Sequence, residues 1–134
     1  MGSGKRPGVV RSLHHVQVFY PAGEEARARR FYGENLGLRE IPRPASLADR
    51  AGIWYELGDA HIHLSADDDL ALHPRRHFGV RVDDLDGAIG LLRQADARFE
   101  ETTPIPGWRR VYVFDPFGNK IELDEIGRAG ALQA

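Results

Sequence analysis

Apolar and polar residues alternate along several short segments of the chain, which is the pattern of half-buried β-strands. In the first segment, residues 13–19, Val16 and Val18 share one face, whereas His15 and Gln17 share the other. The same pattern predicts further strands at residues 38–41, 53–57, 61–65, 76–82, 98–101, 109–114 and 119–126. The chain is therefore expected to contain a β-sheet built from these segments.

Two segments have helical spacing instead. Over residues 24–35, Ala28, Phe31 and Tyr32 recur at helical intervals, and Gly37 follows as a signal for the end of a helix. The second helix is predicted to begin after an aspartate cap at position 83 or 84. Its apolar stripe consists of Leu85, Ala88, Ile89 and Leu92.

The order strand, helix, strand, strand, strand thus occurs twice. We expect a flexible leader over residues 1–11, a first βαβββ module over 12–66, a linker over 67–75, a second βαβββ module over 76–126 and a loose tail over 127–134. The predicted fold class is α+β, in which the twist of the strands curls the two modules into a mixed sheet with a concave cup.

The last strand follows a predicted type I turn, Asp115-Pro116-Phe117-Gly118-Asn119. Proline presets φ at the second position, and glycine at the fourth relieves the exit from the turn. The strand after it puts Ile121 and Leu123 on one face, and its other face carries Lys120, Glu122 and Asp124. A carboxylate between aliphatic residues indicates either a solvated sheet face or a functional group.

Composition narrows the classes of function. The net charge of −2 gives no basic field for nucleic acid, and no apolar run approaches the roughly 20 residues of a membrane span. The chain has no cysteine, which excludes disulfides, a cysteine nucleophile and thiolate zinc sites. We therefore expect a cytoplasmic protein that binds neither nucleic acid nor membrane.

Strand parity gathers the candidate chemistry on one face of the sheet. The helices need the apolar face, so the opposite face carries His15, His63, His77 and Glu122. Neutral imidazole and carboxylate are good ligands for a divalent ion of Zn, Ni, Fe, Mn or Co. Parity assigns these residues to one face, but whether they lie close together depends on the fold.

The chain resembles the vicinal oxygen chelate superfamily, which includes glyoxalase I, extradiol dioxygenases, fosfomycin-resistance enzymes, methylmalonyl-CoA epimerase and bleomycin-binding proteins. The resemblance extends from residue 13 to about residue 126. It rests on four segments in this order: Leu13-His14-His15-Val16, residues 31–38 (FYGENLGL), residues 77–85 (HFGVRVDDL) and residues 115–122 (DPFGNKIE).

The resemblance implies a metal site. His15, His77 and Glu122 match the positions of the superfamily's metal ligands, and His63 falls where glyoxalase I has a glutamate. His63 is then a fourth ligand, a residue behind the ligands or a base. Glu122 is the candidate catalytic residue, because a carboxylate at the metal can also take a proton from the substrate.

The resemblance also implies the competing functions. The first is a glyoxalase-like metalloenzyme with lyase or isomerase chemistry on a small oxygen-chelating substrate. The alternatives are an extradiol-type dioxygenase and a non-catalytic drug-binding protein of the bleomycin resistance type. Since each module leaves an edge strand that invites pairing, we expect a homodimer whose sites draw ligands from one chain or from both.

Overall fold

A computed structural model describes residues 8–126 of the protein, and these residues form two four-stranded mixed sheets with a helix in each half. The leader predicted for residues 1–11 falls mostly outside this range, and the tail predicted for 127–134 falls wholly outside it. The elements of the first half are β1 (His15–Tyr20), α1 (Glu25–Arg29), β2 (Arg39–Ile41), β3 (Gly52–Leu57) and β4 (Ala60–Ala66). Those of the second half are β5 (His77–Arg81), α2 (Leu85–Gln94), β6 (Arg98–Glu100), β7 (Trp108–Phe114) and β8 (Lys120–Ile126). The predicted α+β fold is confirmed.

The two sheets have the same topology. Their strand orders are β1-β4-β3-β2 and β5-β8-β7-β6, and only the pairs β1–β4 and β5–β8 are parallel. The register is also repeated, because His63 lies beside Gln17 in the first sheet as Glu122 lies beside Gly79 in the second. Within the described residues, β1 and β5 are each at an edge of their sheet, and no strand pair joins the two sheets.

The helix predicted for residues 24–35 departs from regular α-helix in its second half. α1 continues as a π-helical segment over Arg30–Asn35, in which the Leu36 N–H donates to the Phe31 carbonyl at 2.9 Å. Two consecutive residues of this segment, Phe31 and Tyr32, are buried. Gly37 then ends the helix with a φ of 76°.

α2 begins as the sequence predicts. Asp84 is the cap, and its carboxylate accepts a hydrogen bond from the Gly87 N–H at 3.0 Å. Leu85 and Leu92 of the predicted stripe are buried in a core that they share with apolar residues of both halves. Within the described range, no helix has the length and apolar character needed to cross a membrane.

The predicted turn joins the two halves of the molecule. The buried Asp115 carboxylate accepts hydrogen bonds from the N–H groups of Phe117 and Asn119 at 2.9 and 2.8 Å and from Asn119 Nδ2 at 2.8 Å. It also accepts the hydroxyl proton of Tyr32, from the first half, at 2.7 Å. Asn119 Nδ2 in addition donates to the Phe19 carbonyl of β1 at 2.9 Å. The turn that starts β8 is therefore fastened to the first sheet and its helix.

We predict that Tyr32→Phe destabilises the protein by about 1–3 kcal/mol, because it deprives the buried Asp115 carboxylate of one donor. Tyr55→Phe is a matched control, since Tyr55 is also buried, stacks on Tyr32 and has a hydroxyl without a hydrogen-bond partner among residues 8–126. Its removal should leave the free energy of unfolding unchanged or raise it. Urea unfolding measures both variants, and equal losses of stability would contradict the assigned role of Tyr32.

Candidate functional site

His77 and Glu122 form the closest pairing of predicted site residues, on the adjacent strands β5 and β8. The Nδ1 atom of His77 lies 2.8 Å from the Arg75 carbonyl, which can only accept, so Nδ1 carries the proton of the neutral ring. The remaining nitrogen, Nε2, lies 3.1 Å from Glu122 Oε1. An imidazole lone pair and a carboxylate oxygen repel each other at this distance unless they share a cation, which is either a proton or a metal ion.

Glu122 is held from its other side by Arg110. Arg110 Nη1 donates to Glu122 Oε2 at 3.2 Å, while Arg110 Nη2 donates to the Thr103 carbonyl at 2.6 Å. Burial by itself raises the pKa of Glu122. The hydrogen bonds from Asp124 and Arg110, together with the positive charge of Arg110, outweigh burial and bring the pKa below its ordinary value. Glu122 is therefore an ionised carboxylate with Oε1 directed at His77.

Asp124 is a second carboxyl group on the same face of β8, and it is 8% exposed. Burial, followed by the hydrogen bond to Glu122 and the charge of Glu122, raises the pKa of Asp124 to about 7. Its Oδ1 atom is buried without a hydrogen-bond partner among the described residues. Strand parity places Asp124 on this face, but the hydrogen bond between Asp124 and Glu122 depends on the three-dimensional structure.

A second cluster lies on the first sheet and contains four imidazoles. The rings of Trp54, His63 and His15 stack in that order, with centroids 3.8 and 4.1 Å apart and interplanar angles of 3° and 21°. His61 Nδ1 lies 3.1 Å from His63 Nε2, and His14 Nδ1 lies 2.9 Å from His15 Nδ1. Burial, and then the neighbouring imidazoles, lower the pKa of His63 to about 4, so its ring is neutral at pH 7.

The four predicted metal ligands therefore occur as two pairs. The structure brings His77 to Glu122 and His15 to His63, but residues 8–126 of one chain contain no group of three or more His, Cys, Asp or Glu side chains arranged to hold a metal ion. Assignment of all four to one metal site stays a prediction. It requires that the two pairs meet, for example across a dimer.

Sequence reasoning missed the contribution of His14, which parity placed on the opposite face from His15. Parity holds for His14 only in a strand that starts at residue 13, whereas β1 begins at His15 and leaves His14 outside the alternation. His14 therefore contacts His15, and its ring lies 5.3 Å from that of His61. In the sequence, the adjacent pair His14-His15 was the feature that could have indicated this contact.

A cavity of about 310 Å³ lies next to His77 in the gap between β1 and β5. Its volume is at the lower end of the range for small-molecule sites. Its walls come from β1, β5, the linker and the start of β8, including Val16, Gln17, Leu72, His77 and Lys120. A larger apolar groove of about 580 Å³ is lined by α2 and by β5, and it contains none of the predicted site residues.

Comparison with known proteins agrees with this architecture. A sequence profile of the glyoxalase/bleomycin resistance protein/dioxygenase superfamily matches residues 12–123. Among solved structures, a glyoxalase family protein from Bacillus anthracis is 34% identical, with a TM-score of 0.83 and coverage of 91% of this chain and 100% of that chain. No curated protein matches the chain.

Two more distant structures are similar in fold alone. The fosfomycin resistance protein FosX from Listeria monocytogenes is 15% identical, with a TM-score of 0.77 and coverage of 92% of this chain and 98% of that chain. TnmS3, an antibiotic binding protein from Streptomyces sp. CB03234, is 20% identical, with a TM-score of 0.65 and coverage of 88% and 98%. Proteins of this fold thus include both resistance proteins and an antibiotic binder.

The raised pKa of Asp124 predicts a pH dependence of stability. The folded protein retains a proton up to about pH 7 that the unfolded chain loses near the ordinary value of 3.8. The stability from this group is therefore fully present below about pH 4 and is lost as the pH rises towards 7. Asp124→Asn cannot ionise at this position. The free energy of unfolding of the wild type minus that of Asp124→Asn should therefore be smaller at pH 8 than at pH 5.

Urea unfolding of chelator-treated protein at the two pH values measures this difference. Asp83→Asn, at an exposed aspartate after β5, is the control and should leave the pH dependence of the wild type unchanged. Parallel pH dependences of the wild type and Asp124→Asn would contradict the shared proton.

Proposed function

Because the chain belongs to the glyoxalase/bleomycin resistance protein/dioxygenase superfamily, we propose that it is a glyoxalase-like metalloenzyme with lyase or isomerase chemistry on a small oxygen-chelating substrate. The observation that carries the proposal is the 3.1 Å approach of His77 Nε2 to Glu122 Oε1, with the histidine proton committed to Arg75 on the far side of the ring. This arrangement of a ligand and its supporting carbonyl is typical of metal-binding histidines.

The donor set fits a divalent ion. One neutral imidazole nitrogen and one ionised carboxylate oxygen suit Zn, Ni, Fe, Mn or Co, and bonds of about 2.0–2.2 Å would allow one ion to contact both atoms. His77 and Glu122 would hold the ion together with His15. When bound, such an ion stabilises the negative charge that develops on the substrate oxygens.

Glu122 is the proposed catalytic base. Its lowered pKa keeps it ionised at neutral pH, and Arg110 orients the carboxylate through Oε2, so that Oε1 would take a proton when it is not bound to the ion. The two carboxyl groups of Glu122 and Asp124 differ in protonation, because their pKa values are pushed in opposite directions. This difference suits proton transfer, in which one group accepts while its neighbour holds a proton.

The third ligand, His15, would come from the partner subunit. Within one chain His15 is stacked on His63 in the first sheet, apart from the pair on the second sheet. β1 and β5, which carry the two histidines, each pair with only one other strand among residues 8–126. We propose a homodimer in which the first half of one chain faces the second half of the other, and the site is completed between them.

Two alternatives are favoured by particular features. Two histidines and one carboxylate with open positions are also the ligands of an extradiol-type dioxygenase with ferrous iron. The flat stack of Trp54, His63 and His15 would suit a planar drug, as in a sequestering protein of the bleomycin resistance type. Oxygen uptake with a catechol and ferrous iron would favour the first, and tight binding of a drug by metal-free protein would favour the second.

We predict that His77→Ala lowers metal affinity by about 100-fold or more, because it removes a ligand from the site. Asp59→Ala is the control, since this exposed carboxylate in the turn between β3 and β4 lies outside both pairs. Competition against a chromogenic chelator, together with metal analysis of protein purified without a histidine tag, gives the affinities. Equal affinities of His77→Ala and the wild type would exclude the proposed site.

The shared site predicts complementation between two defective chains. A heterodimer of one His15→Ala chain and one His77→Ala chain, isolated with two different tags, should bind one metal ion with nearly wild-type affinity, because one of its two sites keeps all three ligands. Homodimers of either variant should bind weakly. A heterodimer as weak as the homodimers would place His15 and His77 of each site in one chain.

A further inference from the structure

We infer that His63 is not a metal ligand but a spacer ring that positions His15 for metal binding. The inference rests on the proposed function, because it assigns His63 a role in the same site. The sequence leaves three roles open for His63, namely a fourth ligand, a residue behind the ligands or a base. The contacts of its ring in the folded chain distinguish among them. Those contacts involve both faces of the ring and its Nε2 nitrogen.

Both faces of the His63 imidazole are covered. Trp54, its direct neighbour across the β3–β4 pair, lies parallel to it at a centroid distance of 3.8 Å, and His15 covers the other face at 4.1 Å. The side chain is 5% exposed. A ring enclosed in this way can turn towards a metal ion only by breaking two stacking contacts.

The Nε2 atom of His63 also has a hydrogen-bond partner. It lies 3.1 Å from His61 Nδ1, so one of the two rings donates a proton to the other. The His61 backbone N–H is itself bonded to the His14 carbonyl at 2.9 Å, which holds the neighbouring ring in place. Recruitment of His63 through Nε2 would break this contact in addition to the two stacks.

His15, in contrast, has the arrangement expected of a ligand. Its Nδ1 atom lies 2.9 Å from His14 Nδ1, and with His15 as the donor of this hydrogen bond its Nε2 carries the lone pair that a cation needs. His77 is similar in that its Nδ1 donates to a carbonyl and its Nε2 lies at the site. His63 stops the His15 ring from rotating back towards Trp54, because it fills the space between them.

The experiment separates a ring that positions from a nitrogen that coordinates. His63→Phe keeps a flat ring between Trp54 and His15 but has no nitrogen, His63→Ala removes the ring, and His15→Phe removes a proposed ligand. His63→Tyr replaces His63→Phe if the phenyl variant fails to fold. Metal affinity, measured by chelator competition, is the first readout.

If His63 is a spacer, the metal affinity of His63→Phe should stay within about threefold of that of the wild type. The metal affinity of His63→Ala should fall by about 10–100-fold, which is the usual effect of removing the support of a ligand. His15→Phe should lose about 100-fold or more. If His63→Phe loses as much as His15→Phe, His63 is a ligand and the inference is wrong. If His63→Ala binds as the wild type does, the ring does not position His15 and the inference is also wrong.

A second readout does not depend on metal. In long-range ¹H–¹⁵N spectra of chelator-treated protein, the ring protons of His15 should be shifted upfield by the stacked rings in the wild type and in His63→Phe, and this shift should collapse in His63→Ala. An unchanged shift in His63→Ala would overturn the inference by itself. A wild type that shows the upfield shift and yet binds no metal would refute the proposed function and leave the positioning of His15 by His63 standing.

Discussion

The hydrogen bonds of the Asp115 carboxylate are the interaction on which the arrangement of the two halves depends. Burial opposes an ionised carboxylate at this position and raises its pKa, although hydrogen bonds from Tyr32, Asn119 and Phe117 act in the other direction. Tyr32, which supplies one of these bonds, lies buried beside Phe31 in the π-helical segment. Since β8 starts immediately after this turn, Asp115 also fixes where Glu122 lies. The turn and the first helix therefore act together in positioning the proposed site.

Much of the fold follows from short-range patterns in the sequence. Alternation located the eight strands to within a few residues, and it put Glu122 and His77 on the same face because parity is independent of tertiary contacts. The turn was predictable because proline fixes φ at one position and glycine permits the positive φ at another. The π-helical segment was not, because an inserted helical residue depends on packing between the halves. Parity also gives a face but no distance, so it could not show that the candidate ligands separate into two pairs.

The two sheets share their register but differ in chemistry. His15 and His77 start equivalent strands, and His63 and Glu122 occupy equivalent positions on the paired strands. In the first sheet the equivalent position carries a neutral ring among other rings, whereas in the second it carries an ionised carboxylate next to an arginine. In the proposed site, the first half would supply the nitrogen of His15 and a flat wall of rings, and the second half would supply the nitrogen of His77 and the negative charge that neutralises a cation.

The separation of the two pairs within one chain has a thermodynamic consequence for the dimer that we propose. When an ion bridges residues of two subunits, its binding free energy also contributes to association, and the two equilibria are reciprocal. Metal would strengthen the dimer by the same factor by which dimerisation strengthens metal binding. Occupancy of the site would then depend on the concentration of the protein as well as that of the ion, so that dilution alone could release the metal.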